Sequence, residues 1–413
     1  MAKKLNYIDL FAGAGGLSEG FINAGFNPVA HVEVDSNACK TLKTRSAFHY
    51  LRKNNKLEIY YSYIKQEITS EQFYQYIPAE ELNSVLNYEI SDLTIDEIFK
   101  KIDQLRGQNK IDLIVGGPPC QVYSLIGRSK IGNKNVTDDR RYRLYIYYGS
   151  FLKKYKPKYF VFENVQGLLS AGNSQLIHDI ELFLEDCGYK VKYKLLDASD
   201  FGVLQKRKRV ILIGKRGKKN FDYPEFEKCN TGWNLGEALF SDLKKISAGD
   251  TKLVKPYSIK KANDYLKGFH VRNGADFITQ HITRPHIERD LAIYSIAINK
   301  WLNYNERLRY SDLPRKLKTH KNEKSFLDRF KVVDSKGISH TVVAHIEKDG
   351  HYFIYPDLTN PRSISVREAA RIQSFSDDYF FEGGRTSAFK QIGNAVPPLM
   401  ANTIAKKINE LFE

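Results

Sequence analysis

Over the first half of the chain, short apolar runs alternate with segments whose apolar residues recur at helical spacing. Asn6–Phe11, Pro28–Asp35, Ile111–Val115, Tyr159–Phe162, Tyr189–Leu196 and Val210–Gly214 read as buried strands. Between them, Ser18–Ala24 (closed by Gly25), Ile95–Leu105, Leu144–Tyr155 and Gln175–Cys187 read as helices. This rhythm predicts an α/β fold, a Rossmann-like mixed sheet with helices on both faces. Residues 45–88 interrupt it as a polar, Tyr-rich and irregular stretch, in which Tyr60-Tyr61-Ser62-Tyr63 reads as a solvated helix face in preference to a surface stacking patch. The rhythm stops near Phe221. Residues 236–362 are basic and irregular, with a hairpin-like pattern over Thr341–Tyr355, and predict a smaller mixed domain. Helices are expected again at Val366–Phe375 and Met400–Leu411.

Polar residues collect where the apolar runs end. The first strand runs into Ala12-Gly13-Ala14-Gly15-Gly16-Leu17 and then a helix, the opening of a nucleotide-type βαβ unit. Glycines let a backbone approach a ligand, and the helix start offers free N–H groups. Glu33 ends the second strand, where a carboxylate accepts the hydrogen bonds of a ribose diol. The third glycine of G-x-G-x-x-G is replaced by Ser18, so an adenosine-type cofactor and an empty tight turn both remain open. Asp92 is read either as a helix N-terminal acid or as a ligand to the cofactor's amino group.

The third strand ends in Gly116-Gly117-Pro118-Pro119-Cys120-Gln121. Two prolines hold the chain extended and present the Cys120 thiol at the carboxyl edge of the sheet, where ligands of open α/β sheets bind. Glu163 follows the next strand, and Gln205-Lys206-Arg207-Lys208-Arg209 precedes another. A thiolate, a carboxylic acid and an arginine at one edge suit attack on an electron-poor carbon, such as C6 of cytosine protonated at N3. C5 then becomes nucleophilic enough to take a methyl group from a sulfonium donor.

Composition narrows the partners. The 413 residues suggest about two or three domains, and 42% hydrophobic residues suffice for a sizeable core. Lys+Arg 64 against Asp+Glu 48 gives +16, which favours a polyanion such as nucleic acid. Cys39, Cys120, Cys187 and Cys229 form no C-x-x-C pair, which argues against a zinc site or a disulfide framework. No apolar run reaches the roughly 18 residues of a membrane span, and the start is a poor signal peptide, so the expectation is a cytoplasmic protein that does not meet a membrane.

Taken in order, these blocks resemble the DNA (cytosine-5) methyltransferases of bacterial restriction–modification systems. The matching pieces run from Asp9–Gly16 through Glu33-Val34-Asp35, Gly117–Gln121, Glu163-Asn164-Val165, Gln205–Arg209 and Arg367–Gln373 to Gly393–Val396. The resemblance implies a class I fold using S-adenosylmethionine, released as S-adenosylhomocysteine, with no metal. It implies Cys120, Glu163 and Arg209 as catalytic, with Arg207 steadying the catalytic loop or a phosphate. Phe11 would stack on adenine, Gly13, Gly15, Gly16 and Leu17 would line the methionine part, and Glu33 would hold the ribose. Asp92 would meet the adenine amine and Asn394 the methionine end. Ser124 would contact a backbone phosphate, with Gln121 and Arg128 also at the DNA. Residues 1–235 would form the catalytic domain, 236–362 the target recognition domain, 363–390 a connecting segment, and 391–413 a segment returning to the catalytic sheet. The implied partner is double-stranded DNA, swung open at the target base, with a cognate restriction endonuclease acting on the same site, a monomeric enzyme and a location at the nucleoid. An RNA-directed cytosine-5 methyltransferase, a non-catalytic DNA-binding relative and a Rossmann oxidoreductase with a catalytic Cys are the alternatives.

Overall fold

A computed structural model describes residues 4–118, 144–171, 174–318 and 327–413. Cys120, Gln121, Ser124 and Arg128 lie outside the described residues.

Seven strands form one sheet in the order β3-β2-β1-β4-β5-β7-β6. They are β1 (Asn6–Leu10), β2 (Asn27–Glu33), β3 (Val85–Asn87), β4 (Leu113–Gly116), β5 (Tyr159–Val165), β6 (Tyr189–Asp197) and β7 (Lys208–Arg216). All neighbours are parallel except β7, which runs antiparallel between β5 and β6. The reversal brings the start of β7 to the edge where β1, β4 and β5 end. The expected mixed Rossmann-like sheet is therefore present.

Helices cover both faces. On one side α1 (Gly16–Asn23) and the last helix pack over Tyr7, Val115, Val161 and Ile213. On the other, α6 (Ile95–Arg106), α7 (Leu144–Tyr155) and α8 (Gln175–Asp186) pack over Leu10, Ile114, Phe160 and Leu212. Alternate strand residues serve opposite faces, which is why the central runs are largely apolar, while the edge strand β6 carries Lys190, Lys192 and Lys194.

Residues 45–88 depart from the expected irregular stretch. α2 (Ser36–Lys53) continues through its first part, capped by Asp35, and three short helices follow: α3 (Leu57–Ile64), α4 (Ser70–Tyr74) and α5 (Ala79–Asn83). Tyr60 is fully buried, and Tyr63 stacks on Phe73 with ring centroids 4.3 Å apart. The tyrosines are thus the core of a small helical unit, which also packs on Phe277 of the second lobe. Rings spaced along helices bury together whatever their polar neighbours suggest.

In the second lobe, β8 (Val254–Pro256) and β9 (Phe277–Thr279) form a two-stranded sheet, flanked by α9 (Asp264–Gly268) and α10 (Glu288–Tyr304). The hairpin expected over Thr341–Tyr355 does not form: a short 3-10 turn at Ala344–Glu347 and isolated bridges at Ile354 take its place. The chain then forms α11 (Val366–Ile372), α12 (Arg385–Asn394), which the sequence pattern did not predict, and α13 (Pro398–Glu410). Val366, Ala369, Phe375, Phe389 and Ile392 share one core with Leu239, Tyr265, Val342 and Phe353. Residues 363–390 thus supply apolar side chains to the second lobe's core. α13 returns to the sheet through Met400, Ile404 and Ile408, and a Cβ on Gly20 of α1 would lie 2.4 Å from the Asn402 amide.

Candidate active site

The carboxyl edge of the sheet gathers most of the residues singled out above. β1 ends at Leu10, and Phe11 adopts a left-handed φ of 57° with its ring half-buried. That conformation is uncommon outside glycine and collects at functional sites. The loop then rises through Gly13 (φ 55°) and Gly15 (φ 81°) into α1. A Cβ on Gly13 would meet nothing within 4 Å, so this residue borders open space. Gly15 and Gly16 are packed instead: a Cβ there would lie 2.7 Å from Leu42 Cδ2 and 2.3 Å from the Val396 carbonyl oxygen, respectively. The Leu17 side chain is in the core, leaving only its backbone at the loop.

Glu33 faces this loop. Its Oε2 accepts the Gly13 N–H at 2.7 Å, and its Oε1 accepts those of Val34 and Asp35 at 2.9 and 2.8 Å. Burial pushes the Glu33 carboxyl up from its ordinary pKa, against the pull of these three amides. Two residues missed by sequence reasoning stand nearby in the chain. Val34 is 59% exposed and Leu93 96% exposed, unusually bare for side chains of this kind. Asp92, also exposed, precedes Leu93.

Asn394 ends α12 with its side chain exposed. Its neighbours are fixed: the Ala395 carbonyl accepts from Arg207 and the Val396 carbonyl lies against Gly16. The open side of Gly13, the start of α1, Glu33 and Asn394 are the groups here that could hold an adenosine linked to an amino acid.

Further along the edge, Arg209 Nε lies 2.7 Å from Glu163 Oε1. The register pairs Val165 with Arg209 and Glu163 with Ile211, so the two charged side chains are diagonal neighbours on one face. Both are largely shielded, at 11% and 14% exposure, which strengthens their interaction. Gly117 abuts this pair: a Cβ there would lie 2.5 Å from Glu163 Oε2. Asn164, to which the sequence alone assigns no role, donates its Nδ2 to the Pro118 carbonyl at 3.3 Å. β5 therefore grips the segment that leads to Cys120, two residues beyond Pro118.

The four cations at the start of β7, Lys206 to Arg209, separate. Arg209 joins Glu163. Arg207 is wholly buried, donating to the carbonyls of Val342 (2.6 Å), Gly393 (3.2 Å) and Ala395 (2.8 Å). This corrects one of its expected roles, because no phosphate can reach it there. Lys206 and Lys208 are exposed and make no ion pair among the described residues. The backbone of Lys206 is held by Ser339 and Thr341 of the second lobe, at 2.8 and 2.6 Å.

Comparison with known proteins places these features in a family. The family model of the C-5 cytosine-specific DNA methylases matches residues 5–71 and 79–410. The chain is 41% identical to the type II methyltransferase M.Bpa9945I of Bacillus paralicheniformis, covering 98% of each protein. It is 30% identical to the type II methyltransferase M1.HphI of Haemophilus parahaemolyticus, over 98% of this chain and 86% of that one. A solved structure described as a prophage-encoded DNA modification methyltransferase from E. coli superposes with a TM-score of 0.62, at 22% identity and 99% coverage of both chains, and so shares the fold.

Proposed function

The chain belongs to the C-5 cytosine-specific DNA methylases and is a DNA cytosine-5 methyltransferase of the restriction–modification type; we propose that Cys120 is its nucleophile, with Glu163 and Arg209 handling the base. The observation that carries this reading is the Arg209–Glu163 pair, 2.7 Å apart and packed on Gly117 at the root of the Cys120 segment.

S-Adenosylmethionine would be held by Phe11, the Gly13–Leu17 backbone, Glu33, Asp92 and Asn394, and would supply there the electrophilic methyl group that C5 takes up. The Cys120 thiolate forms a bond to C6, and the C5–C6 double bond opens. Glu163 gives its proton to N3 and accepts from the exocyclic amine, so the ring can hold the incoming electron pair. Arg209 keeps the Glu163 carboxyl in place and stabilises negative charge at the base oxygen. Once C5 carries the methyl group, a base removes its remaining proton, the double bond re-forms and Sγ leaves C6.

A base in a duplex must leave the stack to reach this edge. Gln121, Ser124 and Arg128 are proposed contacts to the opened strand, and residues 236–362 are proposed to read the site in double-stranded DNA. The chain is proposed to act as a monomer, shielding host DNA from a cognate endonuclease.

Duplex DNA with 5-fluorocytosine at the target tests the covalent step, because fluorine cannot depart as the C5 proton does. The expected result is a denaturation-resistant protein–DNA adduct that needs S-adenosylmethionine. Cys120→Ser is expected to form none while still binding the donor. Turnover by that variant, or no adduct at saturating DNA, would refute attack by Cys120 at C6.

A further inference from the structure

Asp377, Asp378 and Tyr379 are consecutive, yet each faces a different part of the molecule. Asp377 accepts from Arg371 at 2.8 and 2.6 Å and from the Tyr257 hydroxyl at 2.8 Å, both within the second lobe. Asp378 accepts from Arg45 of α2 at 3.0 Å, and its carbonyl takes the Tyr60 hydroxyl at 2.6 Å. Tyr379 turns toward the glycine loop, where its hydroxyl donates to the Ala14 carbonyl.

That contact joins residues 365 apart in sequence and is fully enclosed. The Tyr379 ring is 1% exposed, with the Arg45 guanidinium 4.7 Å from its centroid and Phe375 and Phe381 against it. Ala14 is itself buried, so its carbonyl has no route to water to replace the bond. The other end of the same peptide is also held: the Gly15 N–H donates to the Ala12 carbonyl at 2.9 Å. Gly13 and Gly15 both take positive φ, and glycine loses more freedom on ordering than any other residue. A loop of this kind has several accessible peptide orientations. One buried hydroxyl selects among them.

We propose that Tyr379 is a positioning residue for the methyl donor: by holding the Ala14 carbonyl it fixes the peptide planes of Gly13–Gly16 against which the donor binds. The inference rests on the reading of that loop as the S-adenosylmethionine site. It makes the turn that carries Tyr379, after α11, part of the donor site's support.

Tyr379→Phe keeps the ring, its packing and the Arg45 contact, and deletes only the hydroxyl. Tyr257→Phe makes the same deletion at the same junction on its other side, and so controls for general loosening. S-Adenosylmethionine is titrated calorimetrically into the full chain, and KM and kcat are measured for donor and DNA. Tyr379→Phe is expected to weaken donor binding about tenfold, the scale of one unsatisfied buried partner. The donor KM should rise in parallel, with kcat at saturating donor and the DNA KM near wild type. Tyr257→Phe should leave donor affinity unchanged. Replacing Tyr379 with 4-aminophenylalanine, which restores an N–H donor at the ring's end, should recover most of the loss. Unchanged donor affinity in Tyr379→Phe, an equal loss in both phenylalanine variants, or no recovery with the amine would overturn the proposal. Failure of the wild-type chain to bind S-adenosylmethionine would instead overturn the reading of the site itself, and the proposal with it.

Discussion

Replacing Gly117 with alanine puts a methyl group where β5 leaves no room. The new carbon would lie 2.5 Å from Glu163 Oε2 and 2.7 Å from the Glu163 carbonyl oxygen. Comfortable contact needs about 3.5 Å, so the overlap is about 1 Å against each atom. The carboxylate can swing away, but only by leaving Arg209. The carbonyl belongs to a strand paired on both sides and cannot yield without disturbing the sheet. Overpacking of this kind costs about 1–3 kcal/mol. For a lobe of this size each kcal/mol lowers Tm by about 2–4 °C, so the protein should remain folded at assay temperature. Catalysis should suffer far more, since displacing a reacting group by about 1 Å costs on the order of a hundredfold. Single-turnover transfer of a tritiated methyl group to unmethylated plasmid DNA would measure that loss, with calorimetry confirming that the donor still binds. Wild-type turnover by Gly117→Ala would show that Glu163 is not seated against Gly117 during the reaction.

Arg209→Lys exchanges a planar fork for a point charge and removes the Nε bond to Glu163. The expected fall in kcat is about 10²–10³ with donor affinity retained, and a rate within twofold of wild type would remove Arg209 from the chemistry. The double variant Lys206→Gln/Lys208→Gln should flatten the log–log salt dependence of DNA affinity by about 1.8, or about 0.9 for each phosphate no longer neutralised. An unchanged slope would mean that neither lysine meets a phosphate. Burial, aided by the charges of His351 and Arg284, pushes His286 down to about 4. Burial and Lys331 push His340 down to about 3, against the Tyr352 carbonyl. The unfolded chain therefore takes up these protons first. Their contribution to stability is complete above about pH 6.5 and is lost as pH falls toward 4 and below. Urea midpoints between pH 7.5 and 4.5 should decline accordingly, and a flat profile would contradict the burial of these imidazoles.

What could be read from the sequence was local. The apolar run of β4, its two glycines and two prolines announce a strand ending in a stiff turn. Glu163 could be set beside the Cys120 strand because consecutive strands tend to neighbour one another, and the cation run could be placed at the same sheet edge because it abuts a strand; that β7 rather than β6 lies next to β5 was not legible. The split within Gln205–Arg209 was not legible. Arg207 and Arg209 are the same residue type two positions apart, and only the arrival of Val342, Gly393 and Ala395 from far along the chain buries one of them. Tyr60 looked like a surface residue because its burial depends on Phe48 and Phe73, which no short window contains. α12 was hidden because its ends carry no side-chain cap, and it is held instead by long-range partners such as Thr41, which bonds Gln391 at 2.6 Å. Val34 and Leu93 look like ordinary core residues until the surface is mapped.

The way Gln205 and Arg207 hold the second lobe bears on how such a protein diversifies. Their side chains bind mostly main-chain groups, the amide and carbonyl of Val342 and the carbonyls of Ile372, Gly393 and Ala395, and Gln205 also donates to the Gln373 side-chain oxygen at 2.9 Å. Every amino acid carries a main-chain carbonyl, so the bonds to Val342 and Ile372 do not read their side chains, whereas Gln373 takes part through its own side chain and a Cβ at Gly393 would lie 2.4 Å from the Ala344 amide. A lobe with a drifted sequence can still seat on the same sheet as long as its backbone path, Gln373 and Gly393 are kept.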